Sequence, residues 1–171
     1  MPIIVAPYDL DWPRRFEAER AQLECLLAPW LIDGVHHIGS TAIPGLSAKP
    51  IIDAMAGVRD LSAAEAAIPV LEDHGYRHSP HRPEALWFHK PRSEEHAERT
   101  HHLHLTEPGS ALWRERLTFR DALRADTALR DEYQALKLRL ADAHGDDVKA
   151  YTADKRAFVV RVLAAHGVTL R

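Results

Sequence analysis

Three groups of side chains in this sequence are of the type, and at the spacing, that chemistry requires. The first is a lone carboxylate, Asp53, in the apolar run Ile51-Ile52-Asp53-Ala54-Met55-Ala56-Gly57-Val58. In a strand, side chains alternate between faces, so Asp53 shares a face with Ile51 and Met55 while Ile52, Ala54, Ala56 and Val58 face the other way. Such a carboxylate costs on the order of several kcal/mol unless it is paired, metal-bound or on an open sheet face. It suits a ligand that holds Mg²⁺ or Mn²⁺ against a phosphate; the plainer alternative is a strand Asp satisfied by Lys49 or by backbone donors. The second group, Gly39-Ser40-Thr41, ends a short β-branched stretch, Val35 to Ile38. Gly39 has no Cβ to obstruct a phosphate, the amides after it can point at anionic oxygens, and the Ser40 hydroxyl adds a donor. A strand ending in a Ser/Thr helix cap would look the same. The third group is His102 and His104 in THHLHLT, two apart and therefore on one strand face. They form half of a Zn²⁺ or Mn²⁺ site that needs a carboxylate from elsewhere, or are neutral histidines half-buried at a sheet face. His37, beside the Gly-Ser turn, has the same ambiguity and is expected to face the same cleft.

Farther along, Arg120, Lys137 and Lys155 sit beside apolar positions of helical segments, where an inward cation suits a phosphate or a buried acid. Lysines snorkelling at a helix margin are the alternative. Several other chemistries lack their motifs. There is no GxxxxGK[ST] phosphate loop, no nucleophile elbow and no CxxC to make a structural zinc finger.

These residues need strands and helices to position them. Val35 to Ile38 and Ile51 to Val58 read as strands joined by a loop that turns at Pro44-Gly45. Glu84 to Lys90 and Thr100 to Thr106 are β-rich and joined by the polar PRSEEHAER, a hairpin loop or flap. Ile3-Ile4-Val5 reads as a short edge strand. A helix opens at Asp11-Trp12-Pro13 with Asp11 as cap and runs to about Leu27, with Phe16, Leu23, Leu27 and Trp30 on its apolar stripe. Ser62-Ala63-Ala64-Glu65 reads as a capping box that opens a second helix ending near His74-Gly75, with Pro69 kinking it or setting back its start. Three helices follow from Ser110: Leu112 to Arg124, one after the Asp126 cap, and one after Gly145-Asp146-Asp147. The sheet-bearing part runs to about residue 108 and helical cover occupies 109–171, within one domain of 1–171. The fold class expected is α/β.

With 46% hydrophobic and 27% charged residues the chain is an ordinary globular protein. Its net charge of −3 argues against a life on nucleic acid. A single cysteine, Cys25, allows no internal disulfide and fits a reducing compartment. No stretch is apolar enough to enter a membrane or to direct secretion, so the expected location is the cytoplasm.

The blocks HIGST, PGL and KPIIDA, then THHLHLTEPGS, LTFRDALR, EYQALK and YTADK, succeed one another along nearly the whole chain. In them the sequence resembles the GrpB family of small bacterial proteins, part of the nucleotidyltransferase superfamily with the DNA polymerase β-like fold. The resemblance implies a small, mixed, twisted sheet of about five strands with helices on one face and a C-terminal helical cover. It implies a nucleoside triphosphate and a divalent metal (Mg²⁺, Mn²⁺ or Zn²⁺) used to transfer a nucleotidyl group to an acceptor. Gly39, Ser40 and Thr41 would hold the triphosphate, with Lys49, Arg120, Lys137 or Lys155 on its phosphates. Asp53 would be the catalytic carboxylate and hold metal together with His102 or His104, one of which stands where the superfamily has a third acid. The superfamily pattern also wants a second acid two residues after the first, and this chain has Met55 there. A non-catalytic module for a nucleotide or another phosphate ligand is therefore a second expectation. A coenzyme A-related ligand enters because some GrpB-like domains are fused to dephospho-CoA kinase. A metal-dependent hydrolase built on the histidines is the third.

Overall fold

Alternation in the two apolar strands decides how the chain layers. The computed structural model describes residues 4–171. Helix α1 (Trp12–Leu27) leads into β1 (Leu31–Ile38), a turn of 3₁₀ helix at Ser40–Ala42, and β2 (Ile52–Val58). Short helices α2 (Leu61–Ala64) and α3 (Ile68–Glu72) precede β3 (Arg77–Arg82), β4 (Ala85–Lys90) and β5 (His101–Thr106). Helices α4 (Ala111–Ala125), α5 (Thr127–His144) and α6 (Val148–Ala165) complete the chain. The five strands form one sheet in the order β1-β2-β5-β4-β3, in which β2 and β5 run parallel and every other neighbouring pair antiparallel.

One face of the sheet is closed. Ile52, Ala54, Ala56 and Val58 of β2 and Leu103 and Leu105 of β5 pack with Trp12, Phe16, Leu23 and Leu27 of α1 and with Leu71 of α3. Glu19 lies in that apolar stripe, and its carboxylate accepts from the Tyr76 hydroxyl (2.5 Å) and from Lys90 Nζ (2.6 Å). The opposite face is covered only in part, where Trp113 and Leu117 of α4 meet Ile38 and Met55. A second core holds the connection after β1 to the C-terminal helices: Ile43 and Leu46 pack with Ala122, Leu123, Tyr133, Phe158 and Val162. The uncovered part of the face, bounded by α4 and that loop, is where a site can form.

Several expectations are corrected in detail. Asp11 precedes α1 but makes no capping bond; its carboxylate takes Arg14 instead. The cap of the second helical stretch is Asp60, not Ser62, since its side chain accepts from the Ala63 amide. Pro69 does set back a helix start: it lies in the first turn of α3, where its missing N–H is harmless. The expected strand Ile3-Ile4-Val5 falls partly outside the described residues, and beside it Ala6 makes only an isolated bridge to Ala48. Strand β3, RHSPHR, lacks an apolar alternation and lies at the sheet edge, the one place its Pro80 is tolerated. Among the described residues no helix is long and apolar enough to cross a membrane.

Candidate functional site

The parallel register of β2 and β5 sets Asp53 opposite His102 and Met55 opposite His104, all on the uncovered face. His102 Nδ1 lies 3.0 Å from Asp53 Oδ1. Burial works to raise the Asp53 carboxyl, but the His102 hydrogen bond and the nearby His104 and Arg116 outweigh it and hold the group below the usual carboxylate range. His102 Nε2 is buried without a partner, so one ring nitrogen is fixed by the carboxylate and the other is left unused. Gly39, at the end of β1, closes over the pair. Its φ is +72°, and a Cβ added there would come within 2.5 Å of Asp53 Oδ2. Only glycine lets the loop backbone approach the carboxylate this closely.

Ile38, Gly39, Asp53, Trp87, His102, His104 and Arg116 line, with His81, a cleft of about 300 Å³. Trp87 of β4 forms its aromatic wall, 5.2 Å from the His102 ring. His104 is buried, and burial with the adjacent Arg116 pushes it down to about 3, so it is neutral at physiological pH. The donors fit one divalent ion held by Asp53 and completed by phosphate oxygens, the usual arrangement for Mg²⁺. They do not fit more. Asp53, His102 and His104 do not make a three-donor cluster, and among the described residues no three His, Cys, Asp or Glu side chains are grouped to hold a metal. His104 sits one pleat further along, with its Nδ1 unpartnered and the Arg116 cation beside it.

The expected phosphate-binding residues divide. The Ser40 hydroxyl approaches the Tyr133 phenol, and Lys137 lies over the same ring at 5.0 Å. Burial, with the Lys155 charge, pushes Lys137 down to about 7. Burial, with Arg116 opposing and Asp53 favouring the charge, leaves Lys155 at about 8. Asp53, Arg116, Lys155 and Lys137 thus feel one another's charge in succession, and Lys137 and Ser40 both approach Tyr133. Lys137 also has a structural duty, donating to the Ser47 carbonyl. In the same way Arg124 holds the Ala42 carbonyl, Arg130 the Pro44 carbonyl and Gln134 the Ser47 amide, so α4 and α5 clamp the loop between β1 and β2.

Four other expected residues are not brought to the Asp53 cleft. Lys49 is exposed in the loop between β1 and β2. The Thr41 hydroxyl is used up, donating to the Ile51 carbonyl and meeting His37 Nε2 at 3.0 Å. His37 pairs with Ala54 across the strands and so points to the closed face, where its ring stacks on Phe16 at 4.5 Å. Arg120 donates to the His37 carbonyl and pairs with Asp121, at a separate cleft of about 380 Å³ beside α1. Sequence reasoning missed Arg116 and Trp87. Arg116 is hidden in a run of charged helix residues, but Trp87 had a signal: in EALWFHK it alternates with Phe88, and pairing with the His strand puts it on the histidine face.

A mixed five-stranded sheet with a carboxylate on its second strand, facing a helical cover, defines a protein of nucleotidyltransferase fold. Solved structures agree. The Cid1 poly(U) polymerase bound to MgATP superposes with a TM-score of 0.56 at 12% identity, covering 80% of this chain and 44% of that one, a likeness of fold alone. The crystal structure of the conserved protein GrpB from Enterococcus faecalis superposes with a TM-score of 0.84 at 31% identity, over 93% of this chain and 94% of that one. The model of the GrpB protein family matches residues 2–165, and the chain belongs to that family. Among relatives, the glutamate-rich protein GrpB of Alkalihalophilus pseudofirmus is 34% identical over 94% of each chain. The YqkA protein of Bacillus subtilis is also 34% identical, but this chain spans only 43% of its length. A dephospho-CoA kinase of Mycolicibacterium paratuberculosis is 29% identical over 90% of this chain and 43% of its own.

Proposed function

We propose that this protein binds a nucleoside triphosphate between the sheet and the helical cover and transfers its nucleotidyl group to an acceptor. The observation that carries this reading is the hydrogen-bonded Asp53 and His102 under the Gly39 backbone, with the Asp53 charge felt by Lys155 of the helical cover. In such a transfer an acceptor oxygen bonds to the α-phosphorus, the bond to the bridging oxygen breaks and pyrophosphate leaves. Catalysis is then mostly positioning and neutralisation of phosphate charge. Ser40 offers a donor to the phosphates, and Lys155 and Lys137 offset the growing charge on the leaving pyrophosphate. A divalent ion on Asp53 supplies further neutralisation when bound. His102 fixes the carboxylate's orientation toward that ion.

A second reading is favoured by Met55. A thioether carries no charge and is a poor ligand for hard cations, so the cleft would bind a phosphate ligand without turning it over. The dephospho-CoA kinase relative makes a coenzyme A-related ligand the first to try in that case. One experiment separates the two. Pyrophosphate release from ATP is measured with Mg²⁺ or Mn²⁺ across a panel of acceptors, beside calorimetric ATP binding, for wild type, Asp53→Asn, Ser40→Ala and Lys155→Met. Transfer requires product in the wild type, a drop of at least about 100-fold in Asp53→Asn, and weaker ATP binding in the other two variants. Saturable binding that is unchanged in Asp53→Asn, with no product under any metal, establishes the binding module instead.

A further inference from the structure

Arg116 has no part in the proposed transfer, yet its side chain is the one cation among the cleft-lining residues. It projects from α4 beside Asp53 and His104, and its Nε is buried with no hydrogen-bond partner. The carboxylates near it are already committed. Asp53 Oδ1 is bonded to His102, and Glu115 accepts from Arg82 (3.0 Å) and from the Arg171 amide (2.9 Å). Among the described residues no carboxylate lies within ion-pair distance of Arg116. The contrast with Arg120 and Arg124 is direct, since both spend donors on backbone carbonyls and hold the fold together. A guanidinium held at a cleft wall with its fork unused fits the oxygens of a bound anion, which it meets bidentately.

Its place in the site gives this a sharper meaning. Met55 stands where the superfamily pattern has its second carboxylate, and it is fully buried against Ile38, Trp113 and Leu117. Among the described residues no three donors are grouped to hold a metal ion, so nothing beside Met55 provides for a second one. The site thus lacks an anion at Met55 and has a fixed cation at Arg116. We propose that Arg116 does the work of the second divalent cation, its guanidinium binding polyphosphate oxygens directly so that the phosphates dock without metal. This rests on the triphosphate occupying the Asp53 cleft. The charge logic carries a consequence that a structural arginine would not have. Without metal, the Asp53 carboxylate repels the ligand that Arg116 attracts, so neutralising Asp53 strengthens metal-free binding.

The test is titration calorimetry with ATP and with inorganic tripolyphosphate, each in EDTA and in Mn²⁺, on wild type, Arg116→Met, Arg116→Lys and Asp53→Asn, with circular dichroism to confirm folding. Both ligands are expected to bind wild type in EDTA. Arg116→Met should weaken them at least tenfold, Arg116→Lys should recover part of that loss, and Asp53→Asn should bind several-fold more tightly than wild type. Should Arg116→Met fail to fold, the lysine and asparagine variants decide alone. Binding that appears only with Mn²⁺ and is equal in wild type and Arg116→Lys overturns this inference and leaves the proposed function standing. Binding of neither ligand under any condition overturns both.

Discussion

Gly39 and Asp53 are the residues through which the site is most exposed to a single substitution. The glycine is fixed twice over, by its positive φ and by the carboxylate packed against its Cα. A backbone at φ +72° and ψ −175° lies in a region essentially reserved for glycine and costs another residue roughly 1–3 kcal/mol, and a methyl group here must also displace Asp53 Oδ2. Gly39→Ala is therefore expected to lose about 2 kcal/mol, lowering the midpoint of thermal unfolding by roughly 4–8 °C in a chain of this size. Scanning calorimetry checks it, and an unchanged midpoint would show that the loop relaxes away from the carboxylate at no cost. The same contact shows that the glycine serves Asp53 at least as directly as it serves an approaching phosphate.

At the scale of elements, α5 and α6 hold two lysines within the helical cover in a state that ordinary surface lysines do not have. Lys137 is held at about 7 and Lys155 at about 8, each chiefly by burial. In the folded chain they begin to lose protons near neutrality, whereas the unfolded chain keeps them up to the ordinary lysine value of 10.5. The unfolded state thus binds more protons from about pH 7 to 10, and the ligand-free fold gains stability as pH rises through that window. An arriving polyphosphate has the opposite effect, favouring the charged lysines and drawing protons in. ATP affinity is expected to fall as pH rises from about 6 to about 9, with net uptake of up to about 1.4 protons at about pH 8. Calorimetry in buffers of different ionisation enthalpy measures that uptake, and Lys155→Met should reduce it. Equal uptake in the variant would place the lysine outside the ligand's reach. The helices have a second task, since Arg124, Arg130, Gln134 and Lys137 clamp the loop whose first residues cover Asp53.

Across the whole molecule, the closed face of the sheet makes the fold sensitive to acid. Burial pushes His37 down to about 4, with Arg124 and Arg120 adding to it and Asp53 opposing. Burial also brings His101 to about 4, with Glu19 opposing. Both are neutral in the fold and charged in the unfolded chain below about pH 6.5, so stability falls as pH drops from about 6.5 toward 4. Glu19, held below its usual range by Lys90 and Tyr76 against the effect of burial, loses its contribution lower still, as pH falls below about 4.5. From about pH 7 to about pH 5 each histidine is expected to cost about 2 kcal/mol. Urea denaturation at the two pH values measures their sum together with the like contribution of buried His104, and His101→Gln should remove about a third of it. A midpoint that does not move between those pH values would mean that these rings protonate without leaving their places.

Local patterns determined much of this protein. Alternation put His102 and His104 on one face of their strand, because side-chain direction in a strand has a period of two wherever the strand lies, and the strand order implied by the family resemblance put that face beside Asp53. The cap at Asp126, a helix start after Gly145-Asp146-Asp147 and a kink or restart at Pro69 were equally legible, being matters of a few neighbouring residues. The inward direction of Lys137 agrees with its place beside the apolar stripe. The tertiary structure alone decided which of the candidate residues meet. His37 and Thr41 adjoin the Gly-Ser turn in sequence, yet one residue of register turns His37 onto Phe16, and Thr41 is spent on tying the loop to Ile51. Arg120 and Arg116 differ by one helical turn, and α4 crosses the sheet so that the first meets a backbone carbonyl and the second lines the Asp53 cleft. A helix sequence records its own faces but not the angle at which it crosses a sheet formed from distant parts of the chain; that angle comes from packing Trp113 and Leu117 onto Ile38 and Met55.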